Sequence, residues 1–259
     1  DWPQADVPLV ADMSSDYMSR PIPWERFDLV YGGAQKNLGP AGMALVIIRK
    51  TVARESNQEI GRYLRYDIQA DKGSMFNTPP VFPIYMLGKV LRWMRDQGGV
   101  AAMERQAEEK AAMLYDTIDG SGGYYRCPVD TGSRSVMNVV FRLPNEELEK
   151  TFLSEADAVG LLNLKGHRSV GGIRASIYNA MPSEGVEALS TFMSDFQSAH
   201  PVWSTTYWPM AGRVDDTDGN PSTHLWATGG PLDKLDQLLK SRGRPTGALA
   251  DERTPSLNG

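Results

Sequence analysis

The sequence predicts an α/β domain that passes into a smaller α+β domain. Two patterns carry this: three short apolar runs near the start, each stopped by polar or glycine-rich residues, and a later alternation of amphipathic helices with β-like runs. Val7-Pro8-Leu9-Val10-Ala11 is the first run, ending at Asp12 with the polar Met13-Ser14-Ser15-Asp16 behind it. Such a run reads as a buried strand that delivers a carboxylate at its C-terminal end. Phe27 to Tyr31 is the second run, closed by Gly32-Gly33. Met43 to Ile48 is the third, and its nearly unbroken apolarity predicts burial on both faces. Three such strands in succession predict helices on both sides of a sheet.

Ile84, Leu87, Leu91 and Met94 keep a helical period up to Gly98-Gly99, a suitable C-terminal stop. Val100 to Asp119 reads as a further helix, rich in Ala, Glu and Lys. From there the pattern becomes α+β: a β-like Ser135 to Leu143, an amphipathic helix from Glu146 to Val159, and a β-like Ile173 to Tyr178. A closing helix starts at Ser183 and buries Val186, Leu189, Met193 and Phe196. Beyond His200-Pro201, Gly, Pro, Ser, Thr and Asp dominate, with Leu232 to Lys240 as the one helix candidate. The expected division is therefore 1–98, 99–197, and an irregular tail over 198–259 with no assigned role.

The 259 residues are 41% hydrophobic and 23% charged, which suits a soluble globular protein. A formal charge of −5 gives no electrostatic reason to expect nucleic acid or an anionic membrane as a partner. No apolar run approaches the roughly 20 residues that span a bilayer. The single cysteine, Cys127, excludes an internal disulfide framework and fits a reducing, cytoplasmic setting, where it reads as a small, partly buried residue. In the tail, Asp215-Asp216-Thr217-Asp218-Gly219-Asn220 has the look of a calcium loop. Val214 and Leu225 stand where its first and last ligands belong, so a solvated turn is the reading and no metal is expected.

Gly32-Gly33-Ala34-Gln35-Lys36-Asn37 places a lysine just beyond a buried strand, among small residues that let a flat ligand approach. A lysine desolvated there offers a neutral amine to an aldehyde. A lysine in a turn is far more often a solvated surface charge. Asp12 weighs against that bland reading, because it too sits at a strand end, where ligands of α/β sheets bind. Alone it would pass for a turn former or a helix cap.

Several separated blocks then resemble the phosphoserine aminotransferase family. They are Leu9-Val10-Ala11-Asp12-Met13-Ser14-Ser15 with Ser19-Arg20-Pro21, Gly33 to Gly42, Gly73 to Pro80, Leu164 to Arg168, and Gly171 to Asn179. The resemblance spans about Val7 to Phe196. It implies part of a fold-type-I large domain followed by a small C-terminal domain, with pyridoxal 5′-phosphate as cofactor. It implies Lys36 as the Schiff-base lysine, Asp12 as the partner of the pyridine nitrogen, and Gln35 near the cofactor phosphate. Asn77 and Thr78 match a pair that reaches that phosphate from the neighbouring subunit of a homodimer. Arg174 matches the arginine that grips the substrate carboxylate, and His167 and Arg168 a basic pair that holds the substrate's distal anion. The implied reaction exchanges an amino group between glutamate and 3-phosphohydroxypyruvate, giving phosphoserine and 2-oxoglutarate in serine biosynthesis.

Two departures qualify this. Family members carry a further segment before the strand ending at Asp12, which supplies a ring-stacking aromatic, much of the phosphate cup and more substrate arginines. The chain therefore reads as a C-terminal portion and is expected to be inactive alone. The tail after Gln197 does not match the family ending. Another fold-type-I pyridoxal enzyme and a non-catalytic interaction module remain as alternatives.

Overall fold

The computed structural model describes residues 6–202, all within one compact unit. The expected helix at Leu232 to Lys240 and the acidic turn lie outside the described residues. Strand β1 (Val10–Asp12) pairs in parallel with β2 (Leu29–Gly33), and β2 pairs antiparallel with β3 (Ala44–Ile48). All three expected strands form, but β1 is not the buried strand its run predicts, since Val10 and Asp12 are exposed, and β3 is not buried on both faces: Ala44, Val46 and Ile47 are exposed. It is an outer strand of the three-stranded order β1-β2-β3, with no further strand beside it among the described residues. An apolar run reports the burial a strand is suited to, and cannot say which neighbour provides it.

Two short helices that periodicity could not reveal follow, α1 (Lys50–Arg54) and α2 (Tyr66–Asp71). Helix α3 (Val81–Asp96) starts directly behind Pro79-Pro80. It ends at Gly98 and Gly99, both at positive φ (103° and 73°), where glycine avoids the steric penalty on a Cβ. Helix α4 (Val100–Gly120) then runs without interruption.

Strands β4 (Asn138–Phe141) and β5 (Ile173–Ser176) form an antiparallel pair that α4, α5 (Glu146–Ala158) and α6 (Ser183–Ala199) cover. Helix α5 starts where Asn145 Oδ1 accepts the Leu148 amide at 2.9 Å, satisfying one of the open N–H groups of the first turn. Helix α6 buries Val186, Leu189, Met193 and Phe196, the face its period predicts.

The core of this half centres on Phe152, whose ring lies 5.0–6.2 Å from those of Tyr125, Phe141, Phe192 and Phe196. Its side chain is fully buried. Phe152→Ala is expected to cost about 3–5 kcal/mol, because the rigid aromatic neighbours cannot collapse into the space left behind. A chemical-denaturation midpoint close to that of the unaltered chain would show that the cluster repacks. A second cluster, built on Met13, Tyr17, Ile22, Phe27, Val30, Ala34 and Leu38, supports the β1-β2 end.

Candidate functional site

Parallel pairing of β1 with β2 sets Asp12 opposite Tyr31, two residues before β2 ends at Gly33. The segments that follow both strands therefore leave the sheet from the same edge. Asp12 is exposed there, and Lys36 lies in the turn Ala34–Leu38, half-buried. The turn is closed by the Leu38 and Gly39 amides, which both donate to the Ala34 carbonyl at 3.0 and 2.8 Å.

Ser14 links the two segments. Its hydroxyl donates to Asp12 Oδ1 at 2.6 Å and accepts the Gly33 amide at 3.0 Å, while its own amide donates to the same Oδ1 at 2.8 Å. These two donors hold the Asp12 carboxyl below its ordinary pKa, and the positive charge of Lys36 pulls in the same direction. Asp12 is thus a turn former and an ionised acid at once. Ser14 was visible in the sequence only as part of a polar stretch; its role depends on the loop geometry.

The glycines beside Lys36 are already used by the protein. A Cβ on Gly32 would lie 2.6 Å from the Tyr17 ring, and a Cβ on Gly33 would meet the folded-back Gln35 side chain. Tyr17, buried, donates to the carbonyls of Val30 and Leu45 at 3.3 and 3.1 Å. Burial, assisted by the Asp12 charge, pushes its phenol up to about 12.

On the other side of the turn, Lys36 helps to line a cavity of about 440 Å³ together with Asn37, Gly39, Lys89, Val90, Trp93, Asn179 and Ala180. A larger hollow of about 660 Å³, walled by Pro21, Ile22, Pro23, Glu25 and Arg26, holds neither Lys36 nor Asp12. Asn37, only 5% exposed, donates to the carbonyls of Ser15 and Tyr17 at 2.9 and 3.1 Å and accepts the Asn179 amide at 3.0 Å. The turn after β5 is thereby fastened to the turn after β2, across 142 residues of sequence.

The remaining expected residues are more dispersed. Arg174 is half-buried on β5, and its Nε is buried with no hydrogen-bond partner among the described residues. His167 and Arg168 are exposed on the loop between Gly166 and Gly172, where the Gly166 amide donates to the Gly172 carbonyl at 2.8 Å. That loop leaves no room for a side chain at Gly166, since a Cβ would meet the Gly171 carbonyl. His167 Nδ1 lies 2.6 Å from the Ser169 hydroxyl. Asn77 and Thr78 are exposed on the segment leading into α3, and Gln35 is exposed at its turn. Among the described residues no cluster of His, Cys, Asp and Glu could hold a metal ion, and no helix is long and apolar enough to cross a membrane.

Comparison with known proteins follows the same lines. The aminotransferase class-V family model matches residues 2–189. The chain is 57% identical over 198 residues to the phosphoserine aminotransferase of Laribacter hongkongensis, covering 76% of this chain and 55% of that protein. It is 55% identical over 201 residues to that of Lysinibacillus sphaericus, covering 77% and 56%. The solved phosphoserine aminotransferase of Bacillus circulans subsp. alkalophilus superposes with a TM-score of 0.73 at 51% identity, over 75% of this chain and 54% of that one. The pyridoxal-phosphate-bound enzyme of Trichomonas vaginalis gives 0.71 at 39% identity, over 74% and 55%. The chain spans about half the length of the curated relatives it matches.

Proposed function

The chain belongs to the class-V aminotransferases, and from that premise we propose that it carries the lysine-bearing part of a phosphoserine aminotransferase site. The reaction is amino-group exchange between glutamate and 3-phosphohydroxypyruvate, in a cytoplasmic homodimer. The observation that carries this reading is the Ser14 hydroxyl, which donates to the Asp12 carboxylate and accepts the amide of Gly33, three residues before Lys36, so that acid and lysine leave the ends of two paired strands together. That pair fits pyridoxal phosphate, which needs an amine for its aldehyde and an anion for its ring nitrogen. When bound, the cofactor supplies a ring that withdraws electrons from an amino acid's Cα.

Lys36 holds the cofactor and, once released, moves the proton at the substrate Cα. Asp12 keeps the ring nitrogen protonated. Gln35 serves the phosphate from within the chain, and Asn77 and Thr78 serve it from the second copy, their amide and hydroxyl donors suiting phosphate oxygens. Arg174 takes the substrate carboxylate, its planar guanidinium suiting a two-point contact. His167 and Arg168 take the distal anion. Support for the dimer comes from the exposed apolar side chains that flank Asn77 and Thr78 in the chain: Met75, Val81, Phe82 and Tyr85. In this reading residues 1–98 form part of the cofactor-binding domain and 99–197 the small domain.

By itself the 259-residue chain is expected to bind the cofactor weakly and not to transaminate, because the edge that bears Asp12 is exposed. With pyridoxal phosphate in excess, borohydride reduction and peptide mapping should still place the pyridoxyl group on Lys36. Labelling spread evenly over exposed lysines such as Lys72 and Lys165 would remove the assignment. Stoichiometric calorimetric binding with turnover would show that the chain is sufficient, against the expectation of inactivity.

A further inference from the structure

Among the described residues Lys110 is the one buried lysine, 2% exposed on α4, and no carboxylate of those residues pairs with it. Its ammonium instead donates to three carbonyls of a single turn: Ile177 at 3.2 Å, Tyr178 at 2.9 Å and Met181 at 3.0 Å. Burying a charge without a counter-ion is costly, and it persists where converging dipoles replace the lost water. Burial lowers the pKa of Lys110. These three carbonyls bracket Asn179, whose amide donates to Asn37 Oδ1 at 3.0 Å and whose Nδ2 donates to the Met18 carbonyl at 2.9 Å. Asn37 in turn holds the Ser15 and Tyr17 carbonyls of the segment behind Asp12. Asn179 Oδ1 is buried without a hydrogen-bond partner among the described residues, and Asn179 lines the same cavity as Lys36.

We infer that Lys110, Asn179 and Asn37 form one positioning chain that runs from α4 to the turn bearing Lys36 and sets that turn against the Asp12 segment. The inference rests on the reading of Lys36 as the cofactor's lysine. None of the three residues is a catalytic residue. Lys110 acts through the 177–181 turn, Asn179 through Asn37, and Asn37 through its covalent neighbour Lys36.

The test compares Lys110→Met, which keeps the aliphatic stem and removes the charge, with Asn37→Ala, which removes the acceptor of the Asn179 backbone N–H, and with Asn179→Ala, which keeps that N–H and removes only the donation to the Met18 carbonyl. Leu189→Ala serves as a control lesion, since Leu189 belongs to the same core and to none of these hydrogen bonds. Two readouts are taken on the 259-residue chain. The first is amide hydrogen exchange in residues 34–39. The second is the ratio of pyridoxyl labelling at Lys36 to that at Lys72, with pyridoxal phosphate and borohydride as probes. Lys110→Met and Asn37→Ala should each speed exchange at 34–39 by about tenfold, the scale of one lost buried hydrogen bond, and lower the labelling ratio, whereas Asn179→Ala, which keeps the N–H bonded to Asn37, should do less. Leu189→Ala should change neither beyond its effect on global stability.

If Lys110→Met loosens 177–181 while leaving 34–39 and the ratio untouched, Lys110 only staples its own turn and the chain does not exist. If Lys110→Met does not fold, Lys110→Gln, a shorter neutral side chain that keeps a donor, decides the link by the same two readouts. Absence of Lys36 labelling in the unaltered chain would remove the functional reading of Lys36. Exchange at 34–39 would still decide whether the turn depends on Lys110.

Discussion

Lys36→Ala is expected to abolish pyridoxyl labelling of the 34–39 peptide and to leave the fold intact. In any assembly of this chain that turns over, the rate should fall by about a thousandfold or more, the scale of losing a positioned proton-transfer group together with the cofactor's covalent anchor. The fold survives because the turn does not depend on the lysine side chain. Its closure comes from the Ala34 carbonyl and from the buried Asn37 amide. Circular dichroism and the thermal midpoint should therefore match those of the unaltered chain. Retained turnover in the Lys36→Ala variant would assign the chemistry to another amine.

Asp12→Asn separates the two roles that the structure combines in one side chain. The amide oxygen of asparagine can still accept from the Ser14 hydroxyl and amide, so the turn and its link to Gly33 should persist. The negative charge is lost, and with it the means of keeping the cofactor's ring nitrogen protonated. The expected cost is about 3 kcal/mol of barrier, or somewhat over a hundredfold in single-turnover rate, with cofactor still bound. The pH dependence follows from the direction of the shift. The folded-state pKa of Asp12 is depressed, so the stabilisation due to its ionised form is complete above the ordinary carboxylate range. It is lost only as pH falls through the lowered value. Cofactor retention in the unaltered chain should thus weaken only in strong acid, and the Asp12→Asn variant should lack that acid limb. Near-normal rates in Asp12→Asn at neutral pH would leave the residue a purely structural role.

The sequence made the helices of the second half legible because each buries one face of a regular period. Helix α6 covers the core with the four residues that its spacing selects. The strands were legible as apolar runs, and Asp12 and Lys36 as polar residues at strand ends. The exposure of β3 was not legible, since its composition suits burial whatever lies beside it. The antiparallel direction of β3 was equally hidden, as alternation carries no sign. Ser14, Asn37, Asn179 and Lys110 escaped notice for a different reason. Each is a common polar residue whose meaning comes from hydrogen bonds to residues distant in sequence, and spacing along the chain holds no trace of a partner 19, 67 or 142 residues away.

The contact between Asn37 and Asn179 also sets a timetable for the chain's synthesis. The Lys36 turn leaves the ribosome long before Asn179, which fastens it to the turn after β5. At typical elongation rates of about 5–20 residues per second, the 142 residues between them take on the order of ten seconds to make. During that interval β1 and β2 can pair, and Ser14 can join Asp12 to Gly33, but the Asn37 side chain still lacks the Asn179 amide. The lysine is thus translated well before Asn179, the residue that completes the tie of its turn to the turn after β5. A nascent or truncated chain ending before β5 would close the turn through Ala34 and Asn37 but lack its tie to the turn after β5.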